Sequence, residues 1–200
     1  MTDFPFDALT PAERYKMLCA AVIPRPVAWV TSLDEAGTVN AAPFSFFNVF
    51  AEDPALVIIG MNRRPGGERK DTLNNIEARG EFVVNLADTA MVEALVATAA
   101  GFPPDVSEPE VLGLGVVTSD RIVTPRLADA PIALECTLYE ARAIGPERHL
   151  VMGEVTALVA RDGLFDDATR RMTVPHYDPG SRAHRGHEGA HSLARRAAPP

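Results

Sequence analysis

The chain has 200 residues, with 27 acidic and 19 basic side chains, a formal net charge of −8 and a 46% hydrophobic composition. That suits one globular domain, and the acidic balance excludes nucleic acid or an anionic membrane surface as the main partner. No apolar run approaches the roughly 20 residues that span a bilayer. The N-terminal MTDFPFDALT lacks the basic start and apolar core of a signal peptide. The two cysteines, Cys19 and Cys136, make no disulfide framework, and a cytoplasmic location is the expectation.

LTPAERYKML predicts a helix start: Thr10 caps, Pro11 takes the first helical position and Glu13 completes a capping box. Pro24 and Pro26 stop it. PVAWVTSL predicts a strand over 27–33, DEAG a turn at 34–37, and TVNAAPFSFF the returning strand of a hairpin. PALVIIGM (54–61) has the short, wholly apolar character of a buried strand. DTLNNIEARG predicts a short helix closed by Gly80, EFVVNLA a further strand, and DTAMVEALVATAA (88–100) a helix. The prolines and glycines of GFPPDVSEPEVLGLG predict a loop. PIALECTLYEARAIG and HLVMGEVTALVARDG, separated by PER, predict a long second hairpin. The expected domain covers 1–180. Residues 181–200, rich in Gly, Arg and His, are expected to form a flexible tail.

Six or seven strands joined mostly by turns, with three short helices, predict a mainly β fold, an antiparallel barrel with helices outside it. A strand followed by a glycine-rich turn and a long helix is missing, which argues against a doubly wound sheet.

Residues 63–72, RRPGGERKDT, carry four cations in this acidic chain. A solvated loop is one reading. The other is an anion site: Lys70 and Thr72 stand where a helix begins, and its first amides are free for a phosphate. Arg63 or Arg64 adds a cation, Gly66 and Gly67 allow close approach, and Asp71 is read as the helix cap. In NAAPFSFFN, Pro43 leaves amides unpaired for a ligand. Ser45 and Asn48 offer polar groups, and Ala41 and Ala42 leave room for a ring. Phe46 and Phe47 are taken alone as core residues. Asn85 reads as a hydrogen-bonded core amide, Trp29 as a core or interface residue, and His176 as a surface residue. His184, His187 and His191 have metal-like spacing, but a Gly/Ala/Arg-rich segment offers no rigid second shell, so no metal site is expected.

The ordered series IPRPVAWVTSLDEAGTVNAAPFSFFNVFAEDPALVIIG, RRPGGERKDTLNNIEARGEFVVNL, GFPPDVSEPEVLGLG and PIALECTLYEA resembles the flavin reductase-like FMN-binding proteins, the group that includes flavoredoxin. The resemblance covers roughly residues 20–160. It implies a split β-barrel, a homodimer and one FMN per subunit near the dimer interface. Carried over residue by residue, it implies that Ser45, Phe46, Phe47 and Asn48 line the isoalloxazine and ribityl chain. Thr31 and Ser32 would approach the flavin or its phosphate, and Arg63, Arg64, Lys70 and Thr72 would gather the phosphate. The implied activity is hydride transfer from NADH or NADPH to flavin, with electrons passed to free flavin, an oxygenase partner or another acceptor. A flavoredoxin-like electron carrier and a non-catalytic flavin-binding module are the alternatives. No catalytic acid–base set is assigned, and flavin chemistry does not require one. The Arg-Leu-Gly-Gly type motif that often ends the family's domain is poorly matched by HYDPGSRAHRGHEG, where Arg182 or Arg185 with Gly186 would have to stand in.

Overall fold

The computed structural model describes residues 1–173, together with the backbone of residues 181–183 and 191–192. The readings of His176, of the histidine side chains at 184, 187 and 191, and of Arg182, Arg185 and Gly186 lie outside the described residues.

Helix α1 (Pro11–Ala21) begins with the expected capping box: the Thr10 hydroxyl accepts from the Glu13 amide, and the Glu13 carboxylate accepts from the Thr10 amide. A two-residue strand β1 (Arg25–Pro26) leads into β2 (Ala28–Leu33), every residue of which is buried. Strand β3 (Val39–Phe44) returns across the turn at 34–37 and pairs with β2 in antiparallel register from Leu33↔Val39 to Ala28↔Phe44. Only Ser45 and Phe46 separate β3 from β4 (Phe47–Glu52), which pairs with β5 (Ala55–Asn62). The basic turn then leads to α2 (Asp71–Arg79), closed by Gly80 in the left-handed conformation at φ +73°, and to β6 (Glu81–Leu86).

The helix expected over 88–100 is shorter. It divides into a 3-10 turn, Thr89–Met91, and α3, Val92–Ala97. Thr98 ends it by donating its hydroxyl to the Leu95 carbonyl. The stretch expected as a plain loop contains one helical turn, α4 (Glu108–Val111), capped by Ser107. Two short strands follow, β7 (Val116–Val117) and β8 (Arg126–Leu127). The long hairpin is formed by β9 (Ile132–Ile144) and β10 (Arg148–Ala160). Two short pairings fall inside the stretch whose composition predicts a tail: β11 (Ser181–Ala183) joins β1 and β12 (His191–Ser192).

Seven strands make one sheet in the order β3-β2-β6-β9-β10-β5-β4, with antiparallel pairing throughout. The two edge strands, β3 and β4, are consecutive in sequence but do not pair, so the fold is a split barrel rather than a closed one. Its main core joins Ala28 and Val30 of β2 to Ile59, Met61, Phe82, Cys136 and Val151, with Leu73 and Ile76 of α2 packed on the same cluster. Burying that apolar stripe is what holds α2 against the sheet. The first turn of α2 is thereby carried to the β3 edge. Among the described residues, no helix is long and apolar enough to cross a membrane.

Candidate functional site

The four cations of the basic stretch have different surroundings. Gly66 and Gly67 take φ of +101° and +88°, a left-handed turn open to glycine, and close a loop in which the Arg64 amide donates to the Glu68 carbonyl. Arg63 clamps that loop: it donates to the Pro146 carbonyl at 2.8 Å and to the Gly67 carbonyl at 2.7 Å. Arg69 pairs with Glu77, and Arg64 pairs with Asp71. Lys70 is half-buried and has no carboxylate partner among the described residues. Burial, and then the neighbouring Arg64 charge, hold its pKa below the usual lysine range.

One expectation is corrected. Asp71 is not the cap of α2. The N-cap is Lys70, in extended conformation, with no side-chain capping bond, and Asp71 is the first helical residue. There its carboxylate faces Arg64 and complements the positive end of the helix.

Arg64, Lys70, Asp71 and Thr72 line a depression of about 420 Å³ beside Asn40, Ala42 and Pro43 of β3, and Thr98, Ala99, Ala100 and Phe102 close its far side. The amides of Asp71 and Thr72, the first in α2, have no carbonyl within the helix to bond. The floor is a directional hydrogen-bond network. The Asn40 side chain donates to the Glu108 carboxylate at 2.8 Å, and its own oxygen accepts from the Thr72 hydroxyl at 2.8 Å and from Ser32 at 3.4 Å. Asn75 in turn donates to the Ser32 hydroxyl at 3.2 Å. The other Glu108 oxygen accepts from the Ala41 amide of the β3 edge at 2.9 Å.

Glu108, only 5% exposed, is the site residue that reading the sequence missed. Burial raises its pKa, against the bonds from Ala41 and Asn40 that favour the carboxylate. A signal existed. Ser107 followed by Pro109 and Glu110 has the spacing of a helix start, and the Glu110 amide does donate to the Ser107 hydroxyl. The surrounding prolines and glycines hid it.

A second depression, of about 400 Å³, adjoins the first and shares Pro43 with it. Tyr15, Ser45, Phe46, Asn62 and Arg148 line it. The Arg148 guanidinium lies over the Phe46 ring, 4.4 Å from its centroid, and Tyr15 packs against the same ring at 5.9 Å. Gly60 has no side chain where Phe46 comes closest: a Cβ there would meet the Phe46 Cβ at 3.0 Å.

Phe47, Asn48 and Thr31, also expected at the site, line neither depression. Phe47 packs on the main core. Asn48 is exposed on the β4 edge, and its side chain accepts from the Val49 amide. Thr31 is fully buried in β2 and donates to the Pro125 carbonyl at 2.7 Å. Arg63 lines neither depression. Asn85 is the core amide expected of it, donating to the Trp29 carbonyl and Thr31 and accepting from the Leu127 amide. Trp29 is fully buried in a satellite core with Val27, Ala41 and Leu95. Among the described residues, no group of three His, Cys, Asp or Glu side chains is placed to hold a metal.

Residues 20–176 match the family model described as flavin reductase like domain. An uncharacterized protein of Halalkalibacterium halodurans is 42% identical over 166 residues, which are 80% of this chain and 79% of that one. The crystal structure of 2-nitrobenzoate 2-nitroreductase from Pseudomonas fluorescens superposes with a TM-score of 0.85 at 36% identity, covering 100% of this chain and 95% of that chain. Nitrilotriacetate monooxygenase component B from Bacillus cereus superposes with a TM-score of 0.88 at 34% identity, covering 99% and 98%. The chain belongs to the flavin reductase-like family of flavin-linked oxidoreductases.

Proposed function

We propose that each subunit binds one FMN along the β3 edge and works as an NAD(P)H-dependent flavin reductase. The observation that carries this is the half-buried Lys70, without a carboxylate partner among the described residues, at the start of α2. It stands in a depression that runs past Pro43 into an aromatic one. These residues fit the group. A phosphate accepts from Lys70, Arg64 and the first amides of α2. The small side chains of Ala42 and Pro43 leave space for the ribityl chain. Ser45 and Phe46 then border the ring, with the Arg148 charge beside them. Thr72 and Ser32 support this pole from behind, through Asn40. Phe47, Asn48, Thr31 and Arg63 act, in this reading, by shaping the strands and the turn that carry the site.

Bound FMN supplies a ring that accepts hydride from a nicotinamide and passes the electrons on. The chain's own contribution is to bind, to orient and to keep positive charge near the ring. The acceptor is free flavin, an oxygenase partner or a small oxidised molecule. The similarity to an oxygenase component and to a nitroreductase supports that range.

We also infer a homodimer. Edge strand β4 exposes Val49 at 71% and Phe50 at 62%, an unpaired apolar edge that a second copy would cover. The two free, buried cysteines fit a reducing cytoplasm.

The test is the visible spectrum of the purified protein with added FMN, followed by NADH and NADPH consumption with and without free FMN. Flavin absorption with nicotinamide oxidation supports the reductase. Flavin absorption with oxidation of neither nucleotide would leave a flavoredoxin-like carrier or a plain binding module. A protein that takes up no flavin would sink the reading altogether.

A further inference from the structure

Four charged side chains line the depression at the start of α2: Arg64 and Lys70 against Asp71 and Glu108. Two cations and two carboxylates leave it formally neutral among the described residues. Arg64 is already paired with Asp71. Its charge also acts on Glu108, whose carboxylate is buried at the floor. A phosphate dianion gains most from cations that no neighbouring carboxylate already balances. Among the described residues, this depression offers one such cation, Lys70.

The hydroxyl that would complete the site is also engaged. Glu108, accepting from the Asn40 amide nitrogen, fixes which way that amide points. The Asn40 oxygen therefore faces Thr72 and accepts a hydrogen bond from its hydroxyl at 2.8 Å. A phosphate seeking the same proton has to compete with Asn40.

We propose that Glu108 limits phosphate affinity at this pole, by its charge and by holding the Thr72 hydroxyl on Asn40. Glu108 is thus a positioning and affinity-setting residue. It lines the depression and holds Asn40 and the β3 edge amide, away from any reacting atom. The inference rests on the flavin reading above and deepens it.

The experiment is fluorescence titration of FMN and of riboflavin, which lacks the phosphate, against the wild-type protein, Glu108→Gln and Asp71→Asn. Glu108→Gln removes the charge and releases the constraint on Asn40. FMN should bind about tenfold more tightly, the size of one partly screened charge contact, while riboflavin affinity stays within about twofold. Glu108 is buried and bonded twice, so that variant can fail to fold. Asp71→Asn provides the second arm: it frees Arg64, leaves Glu108 and its bonds in place, and should also tighten FMN alone. A double variant Asn40→Ala/Glu108→Gln should bind FMN no more tightly than Asn40→Ala by more than the charge effect, because the hydroxyl term passes through Asn40. Unchanged or weaker FMN binding in folded Glu108→Gln, or in Asp71→Asn where Glu108→Gln does not fold, would show that the carboxylates only brace the fold. So would equal tightening of FMN and riboflavin. A wild-type protein that binds neither flavin would overturn the flavin reading, and this inference with it. Wild-type binding of both flavins with the wrong response in the variants overturns this inference alone.

Discussion

Phe82 occupies the space that a side chain on Gly153 would need. A Cβ built at Gly153 would lie 2.3 Å from the Phe82 Cζ and 3.2 Å from the Cys136 Cβ. Both neighbours are fully buried, and Gly153 sits where the β9–β10 register shifts, so neither the ring nor the strand has room to move. Gly153→Ala should destabilise the protein by about 1–3 kcal/mol through overpacking. Urea denaturation followed by circular dichroism measures it. A variant with the wild-type midpoint would show that the barrel yields at this point.

Much of the fold was legible because local chemistry and tertiary context agree. The Thr10–Glu13 capping box, the 34–37 turn, the Gly80 cap and the long hairpin around 146–148 each rest on short-range signals that the packing does not override. The helix over 88–100 was overextended because its apolar spacing continues past Thr98, whose hydroxyl turns back onto the Leu95 carbonyl. Lys70 and Arg64 were legible as members of an unusual cation cluster at a helix start, with Thr72 beside them. Glu108 was not. It is 67 residues away from Ala41 in sequence, and only the folded chain brings its carboxylate to the β3 edge. The roles of Asp71, paired with Arg64, and of Arg148, over Phe46, are likewise products of tertiary placement.

Lys70 and Thr72 should differ in what they contribute to FMN. Lys70→Ala removes a charge-assisted contact worth about 1.5–3 kcal/mol, a loss of roughly tenfold or more. The Thr72 hydroxyl donates to Asn40, so Thr72→Ala should cost FMN binding less, about threefold or under. Riboflavin affinity should hardly respond to either change. Fluorescence quenching titrations with both ligands separate a phosphate contact from general damage to the fold, which would weaken both alike. Equal FMN affinities in all three proteins would return residues 63–72 to the status of a solvated turn.

The β4 edge predicts self-association. Light scattering at micromolar concentration should give about twice the chain mass of 21.5 kDa. Phe50→Asp places a charge on an apolar edge that is 62% exposed in the single chain, so it should shift the protein toward monomer without unfolding it. A wild-type protein that is already monomeric would refute the dimer.

In the proposed site, the lowered pKa of Lys70 would give FMN binding a pH dependence of known sign. Burial, and then the Arg64 charge, disfavour the ammonium in the folded protein. Above about pH 7 the FMN phosphate is already a dianion, since its second ionisation lies near 6. The Lys70 contribution to FMN affinity is therefore present below its folded pKa. It fades as pH rises through that value, earlier than an ordinary exposed lysine would lose it. Folding stability moves the other way. Between the lowered folded pKa and the higher unfolded one, the unfolded chain binds more protons, so the Lys70 contribution to stability rises with pH across that window. FMN titrations from neutral to alkaline pH should thus show falling affinity in the wild-type protein and a flat riboflavin profile. Lys70→Arg, whose charge persists, should hold its FMN affinity to higher pH. Parallel decline of FMN and riboflavin binding, or no difference between the wild-type protein and Lys70→Arg, would remove Lys70 from the phosphate site.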